Sequence, residues 1–591
     1  MEIYYNLVND PASLNLAFDE LRSADLLGFD VETTELDPYK GDIRLVQLSD
    51  GRRTHVVDLM PFRSFGDLRS SPELAPLRDL LTSNTIVKVA HNAKFDTKWV
   101  RHHLGTEVGS VYDTYLASLL ISAGDGERRH GLADLAQFFL GRTLDKTEQV
   151  SDWSVHELTT SQIEYAARDA AIMPELHRVI EERIAADSLS DVLRLENECV
   201  VPIAEMELNG FLLDRGRWGT QLEKVRADQA RSAVELQQLL SSGIAQASLF
   251  GLPEINLDSN VQVTDALINL GVPMPNSTRA WELQPLAEQY PAVAKLLEYR
   301  GAAKAAGSFG ENILEFIEPS TGRIHADFRQ IGAPTGRFSC SRPNLQQIPH
   351  DNVYRRCFRA PEGRNLVIAD YSQIELRILA DFCGDANFIV AFESGRDFHS
   401  ATAAQVFNIA EADVTPDQRS FAKRLNFGVV YGIGSSRFAM MTGLTQTEAE
   451  NTLRKYFATY PQMDQWLRAQ AKNVVKERQA RTASGRLAKI RFDENDRASV
   501  GAAQRYAKNM PIQGTSADIL KRALRLLHND IAGTSAKLVN IVHDEVVVEC
   551  DSAESNAVTE KLETAMLRAG AEFVKNVPIK VDVHISEEWS K

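Results

Sequence analysis

At 591 residues, with 44% hydrophobic and 25% charged side chains, the chain has an ordinary globular composition and enough length for two to four cores. No apolar run is long enough to span a membrane, and Met1-Glu2-Ile3-Tyr4-Tyr5 is neither a signal nor a transit peptide. The net charge of −16 excludes a uniformly basic nucleic-acid binder, though not one with a local basic surface.

From Met1 to about Asp187, short β-rich runs alternate with helical patterns, which predicts an α/β domain. The runs from Leu26 to Glu32, Ile43 to Leu48 and Thr54 to Leu59 read as consecutive strands. Asp30 and Glu32, two residues apart, share one face of the first. Asp96 follows in His91-Asn92-Ala93-Lys94-Phe95-Asp96, and Tyr165 and Asp169, four apart, share a helical face. Four carboxylates from three segments suit two cations, with the tyrosine hydroxyl free to orient a water.

From Leu189 to about Ala306 the pattern is mainly helical, with exposed loops predicted near Ser248 to Asn260 and around Gly271 to Pro275. Between Arg323 and Arg364 stand eight arginines (Arg323, Arg329, Arg337, Arg342, Arg355, Arg356, Arg359, Arg364) against three acids, Asp327, Asp351 and Glu362. Arginine without lysine suits forked contacts to a phosphate backbone, so this stretch is the expected basic surface.

Ala369-Asp370-Tyr371-Ser372-Gln373-Ile374-Glu375-Leu376-Arg377 and Ile541-Val542-His543-Asp544-Glu545-Val546-Val547 each place an aspartate beside strand-forming residues. An unpartnered carboxylate is strongly disfavoured there. Two carboxylates about 4 Å apart repel by roughly 4 kcal/mol at an effective dielectric near 20, so a shared cation is nearly required. That is the requirement for two-metal phosphoryl transfer. Between them, Arg419, Lys423, Phe427 and Tyr431 recur every four residues and form one helical stripe. Two cations followed by two rings suit a triphosphate at one end and a sugar and base at the other. Arg505, Asn509 and Gln513 repeat the spacing, with Pro511 expected to kink their helix. The five cysteines (Cys199, Cys340, Cys357, Cys383, Cys550) are scattered, which points to a reducing compartment and no zinc site.

Asp-Tyr-Ser-Gln-Ile-Glu-Leu-Arg, Arg-x3-Lys-x3-Phe-x3-Tyr-Gly and Val-His-Asp-Glu, in this order and spacing, resemble motifs A, B and C of the family A DNA polymerases, with further matches from about Glu298 onward. The front of the chain resembles the tyrosine-bearing DEDD 3′–5′ exonucleases. The resemblance implies an α/β plus α+β architecture: an RNase H-like exonuclease domain over 1–187, then a right-hand polymerase over 188–591. Within the latter it implies a helical thumb at about 188–330, an antiparallel-sheet palm at about 331–384 and 485–591, and helical fingers at about 385–484. It leaves no room ahead for the 5′-nuclease domain of larger members. Ser436 stands where relatives often carry an aromatic, so the resemblance does not extend to strand displacement.

The resemblance also implies roles. Asp370, Asp544 and the Tyr371 carbonyl would hold two magnesium ions, and Asp30, Glu32, Asp96 and Asp169 two more, with manganese able to substitute; Tyr165 would place the attacking water. Arg419, Lys423 and His399 would grip the triphosphate, Phe427 the sugar and Tyr431 the templating position, with Gln373 and Glu375 lining the nucleotide pocket and Glu375 closing the 2′ position. Arg300, Lys304, Arg337, Asn344, Gln346, Arg505, Asn509, Gln513 and His543 would contact primer–template DNA, while Glu545 supports the metal aspartate. Implied partners are primer–template DNA and dNTPs, with a processivity factor, helicase or primase as optional additions, no membrane and a monomeric chain. The setting would be the nucleoid of a bacterium or a phage-infected cell, or an organelle after processing. The rival reading is a stand-alone 3′–5′ exonuclease whose C-terminal half binds DNA without catalysis; a non-catalytic DNA-binding factor is a third. Intact acids at every expected position speak against both.

Overall fold

The computed structural model describes residues 4–242, 255–274, 277–308, 310–349 and 352–590. The N-terminal unit is built on six strands: β1 (Tyr5–Val8), β2 (Leu26–Thr33), β3 (Ile43–Ser49), β4 (Thr54–Asp58), β5 (Val87–Ala90) and β6 (Val111–Asp113), in the order β1-β4-β3-β2-β5-β6. The three strands expected from sequence are β2, β3 and β4, and they pair antiparallel, whereas β1, β5 and β6 join in parallel. Helix α1 (Ala93–Leu104) follows β5, α2 (Thr114–Ser122) follows β6, and the long α3 (Thr160–Ala186) lies across the sheet. Thr159 starts α3 with a reciprocal cap to Gln162, which satisfies amide groups that the first turn leaves open.

Helix α4 (Ser190–Asn209) comes next and serves two cores. Its Val192, Leu193 and Val200 pack into the N-terminal core, while Cys199, Ile203 and Met206 belong to the larger C-terminal one. Helices α5 (Arg215–Ser241) and α6 (Pro291–Ser308) then pack side by side around a third, separate core. Of the loop expected near Ser248 to Asn260, residues 248–254 lie outside the described residues, as does Pro275 of the second.

A hairpin of β7 (Asp327–Arg329) and β8 (Ser339–Ser341) leads into β9 (Arg364–Tyr371), followed by α7 (Ile374–Cys383), α8 (Phe398–Phe407) and α9 (Pro416–Val430). Then come the small hairpin β10 (Gln479–Arg481) and β11 (Leu487–Lys489), the 34-residue α10 (Arg497–Asp530), β12 (Lys537–Val542), β13 (Glu545–Asp551), α11 (Ser555–Phe573) and β14 (Val581–Ser586). The antiparallel sheet β12-β13-β9-β14 is backed by α11, with α4 against β12 and α10 packed on α11. Helix α10 continues through Pro511 as one helix, so the expected kink does not divide it. No helix among the described residues is long and apolar enough to cross a membrane. All five cysteines are free.

Candidate active sites

In the N-terminal unit, Asp30 and Glu32 project from the same face of β2. The Asp96 carboxylate, in the first turn of α1, accepts the Val31 amide at 3.1 Å and so lies against that strand. Asp113 holds this arrangement from behind. Its buried carboxylate accepts the Asn92 and Ala93 amides ahead of α1 at 3.0 and 2.9 Å, and the Tyr115 amide of α2 at 2.8 Å. Helix α3 brings Tyr165 and Asp169 to the same place, their side chains hydrogen-bonded to each other. It can approach because residue 28 is glycine: a Cβ there would run into the Ala170 carbonyl oxygen.

Burial pushes the carboxyls of Asp30 and Glu32 well above the usual range, and repulsion among Asp30, Glu32, Asp96 and Asp169 adds to it. Burial likewise raises Asp96 strongly and carries Asp169 to about 6. Among the described residues no three acidic, histidine or cysteine side chains close around one point as a complete ligand set. A cation here would therefore share its shell with water or phosphate oxygens. The fit to divalent metal rests on charge, since four mutually repelling carboxylates in one buried place need cations to ionise together.

The second site lies at the end of the C-terminal sheet. Asp370 pairs with Glu545 of β13 on one side and Asp582 of β14 on the other. His543 and Asp544 form the two-residue turn joining β12 to β13, His543 adopting a left-handed φ of 58°. The Tyr371 amide donates to the Asp544 carbonyl at 3.3 Å, pinning the turn beside the end of β9. The Tyr371 hydroxyl is buried and donates to the Met566 carbonyl at 2.7 Å, so only the backbone of Tyr371 is left for the site. Glu545 is turned away, its carboxylate held by Arg355 at 3.0–3.1 Å and by the Trp589 indole at 2.8 Å. Two acids at a strand end and an adjoining turn, with one backbone carbonyl, fit divalent cations as donors do in hard-metal sites.

The four-residue stripe lies on α9, where Arg419, Lys423 and the terminal Tyr431 are exposed and Phe427 is half-buried, as a ligand face requires and a core face does not. Asp397 takes the Arg419 guanidinium in a fork at 2.8 and 3.0 Å. His399 is buried against Asn426 at 3.0 Å and packs on Phe427, and burial lowers its pKa to about 4. At the other end Arg337 pairs with Glu375, and the Tyr431 hydroxyl faces both. Burial and the Glu375 charge push that phenol up to about 12. Gln373 caps α7 with a left-handed φ of 56°. Gly432 sits against Arg505 and Lys508 of α10, which joins the stripe to the helix bearing Asn509 and Gln513.

The structure does not draw every expected residue to these centres. Asn344 caps a short turn by accepting the Gln346 amide at 3.1 Å, beyond β8. On α6, Lys304 is exposed, but the Arg300 guanidinium braces Asn260 and the Thr278 carbonyl at 2.7 and 2.6 Å. The expected arginine surface requires correction. Seven of its eight members pair with the chain's own acids: Arg323 and Arg364 with Glu549, Arg337 with Glu375, Arg342 with Asp327, Arg355 with Glu545, Arg356 with Glu588 and Arg359 with Asp214. Arg355 is fully buried, and of these eight only Arg329 is exposed without an ion pair to the described residues. Sequence reading missed Gly28 and Asp113. A glycine inside a strand was a signal for the first; the second shows no local pattern.

Comparison with known proteins agrees with this geometry. Residues 223–591 match DNA polymerase family A, and residues 5–185 match a 3′–5′ exonuclease. The chain is 32% identical to DNA polymerase I of Aquifex aeolicus, covering 99% of this chain and 100% of that one. It is also 32% identical to DNA polymerase I of Pseudomonas aeruginosa, of which it spans 66%. Among solved structures, the polymerase domain of Pol1 from M. smegmatis, in complex with DNA primer–template and dNTP, aligns with a TM-score of 0.84 and 27% identity over 99% of both chains. Matches through both halves favour a polymerase over a lone exonuclease on an inert scaffold: the chain belongs to DNA polymerase family A, as a DNA-directed DNA polymerase with a 3′–5′ exonuclease domain.

Proposed function

We propose that Asp370, Asp544 and the Tyr371 carbonyl hold two magnesium ions for nucleotide addition, and that Asp30, Glu32, Asp96 and Asp169 hold two for editing. Bound there, the metals would lower the pKa of the attacking oxygen and neutralise charge on the leaving one. The observation that carries this reading is the convergence of Asp370 and the His543–Asp544 turn, with α7 after β9 packed on the helix that exposes Arg419 and Lys423 and its Glu375 facing Tyr431. Arg419, Lys423 and His399 bind the triphosphate, Phe427 meets the sugar, and Tyr431, Gln373 and Glu375 line the nucleotide pocket. Arg505, Asn509 and Gln513 offer donors to the minor-groove acceptors that correct base pairs share, and Arg337 contacts the primer–template beside them. His543, Lys304, Asn344 and Gln346 complete the contact to DNA, and Tyr165 orients the water in editing.

The polymerase substrates in this reading are primer–template DNA and dNTPs. The thumb corresponds to about 188–330, the fingers to about 385–484, and the sheet around β9 to the palm.

Primer extension run beside 3′–5′ degradation tests the assignment. Asp370→Ala or Asp544→Ala should cost at least about 4 kcal/mol of barrier, roughly a thousandfold in rate, with degradation of single strands retained. Near-normal extension by either variant would refute the site.

A further inference from the structure

Four ionisable side chains, each at most 1% exposed, lie beneath the segment that carries Arg337: Glu196 of α4, Arg486 at the edge of β11, and Asp518 and Lys521 of α10. Two acids and two bases balance. One Glu196 oxygen accepts from Arg486 at 2.6 Å and from Lys521 at 2.5 Å; the other accepts from Gln330 at 3.1 Å. Gln330 also donates to the Glu196 carbonyl at 2.9 Å. Asp518 accepts from Arg486 at 2.6 and 2.9 Å and from Thr482 at 2.9 Å. Lys521 then reaches out of the network to donate to the Gly336 carbonyl at 2.7 Å.

Asp518 is held by Thr482 and Ser484 of the β10–β11 turn, while the ties of Glu196 to Gln330 and of Lys521 to Gly336 lead to one loop. Gln330 begins it after β7, and Gly336 ends it immediately before Arg337 and β8. The loop is pressed down on the network: a Cβ at Gly336, whose φ is 83°, would meet the Arg486 guanidinium at 2.5 Å. Underneath, a Cβ at Gly514 would stand 3.0 Å from the Thr335 carbonyl. The same helix α10 carries Asn509 and Gln513 on the turns before Asp518. Burying four charges is costly, and apolar side chains of equal size often stabilise as well or better. What apolar packing would not supply is a hydrogen-bonded stop for the backbone next to Arg337.

We propose that Glu196 and Lys521 are positioning residues for Arg337, fixing its loop at a set distance from α10 so that Arg337, Asn509 and Gln513 meet the same base pair. The inference rests on the reading above that Arg337 contacts the primer–template.

The test uses the full chain with editing silenced by Asp30→Ala and Glu32→Ala, so that mispaired termini survive. Single-turnover extension from matched and from mispaired termini is measured for Glu196→Gln, Lys521→Met, Arg337→Ala and the Glu196→Gln/Arg337→Ala pair, each well below its melting temperature. Loss of a charged hydrogen bond next to Arg337 should slow matched extension about tenfold in each single variant. It should slow mispaired extension less, because the contact is already poor there. The pair should extend no more slowly than Arg337→Ala alone, since both changes remove one interaction. Multiplying losses in the pair, or equal slowing on both termini, would mean that the network only holds the fold together, and would overturn the inference. Normal extension by Arg337→Ala would overturn the reading of Arg337 and the inference with it. Lys521→Met deletes the Gly336 bond directly, so it decides the matter if Glu196→Gln does not fold.

Discussion

Glu375 is held by Arg337 on one side and faces the Tyr431 hydroxyl on the other, so on the function proposed above its carboxylate would be a fixed wall of the nucleotide pocket. Selection is a difference of two affinities, and removing a wall helps the larger sugar selectively. Glu375→Ala should narrow the preference for dNTP over rNTP at least about tenfold, read as a ratio of kcat/KM values. Equal losses for both sugars would mean that the wall stands elsewhere. Phe427, beside His399, offers no hydrogen bond to a nucleotide lacking its 3′-hydroxyl. Phe427→Tyr supplies one, and a competition between ddNTP and dNTP should shift toward ddNTP roughly tenfold. Lys88 makes a different prediction. It is fully buried in β5, and burial lowers its ammonium from 10.5 to about 7. Between these values the unfolded chain binds the extra proton, so this residue's contribution to stability rises with pH from about 7 to 10.5 and is level below about 7, where both states are protonated. Denaturant melts from pH 7 to 10 should show a slope of up to about 1.4 kcal/mol per pH unit in the parent that is absent from Lys88→Met. That Asp30, Glu32, Asp96 and Asp169 gather in one place could be read from sequence, because their residue type and spacing on strand and helix put them on facing sides. The ion partners of the arginine stretch could not: Glu545, Glu549 and Glu588 lie far along the chain, and no spacing rule links them to Arg355, Arg364 or Arg356.

Strand β2 and helix α3 meet at Gly28, and the separation there sets how near Asp169 comes to Asp30 and Glu32. Overpacking of this kind costs about 1–3 kcal/mol and is relieved by backbone shifts. Gly28→Ala should therefore depress degradation of single strands far more than primer extension; equal losses would show that the approach is not what sets the site. The β12–β13 turn gives a similar test. A β-branched residue resists the left-handed conformation that His543 adopts, whereas glycine accepts it freely. His543→Val should slow extension beyond His543→Gly, and the gap between the two measures what the turn contributes to placing Asp544. Elements of this type were legible where one face is buried: the alternation around Asp30 and Glu32 marks β2, and the four-residue period marks α9. The two-sided role of α4 was not, because its apolar residues show that it is buried but not in which cores. Pro511 does not end α10, which packs on α4 and α11.

For the molecule as a whole, the two chemistries should be separable although the two units are not loosely joined. Asp30→Ala with Glu32→Ala should abolish trimming of mispaired primers and leave nucleotide addition nearly unchanged, since distant sites lose function additively. Trimming that survives would put editing on other residues.

Helix α4 gives the junction a further meaning. Its Glu207 is almost wholly buried and takes Lys94 at 2.5 Å and Lys98 at 3.0 Å, both from the helix that carries Asp96. Cutting away residues 1–187 would strip both lysines from that carboxylate, leaving it the Phe328 amide at 2.7 Å, and would bare Val192, Leu193 and Val200, whereas eroding Asp30, Glu32, Asp96 and Asp169 would disturb neither. Stripping one partner from a buried pair typically costs about 3–5 kcal/mol. A fragment of 188–591 should melt well below the full chain, and Glu207→Gln should recover part of the difference. In a lineage that no longer needed to edit, the acids would be free to drift while the folded shell around them stayed: the editing domain would outlast its own chemistry as a buttress.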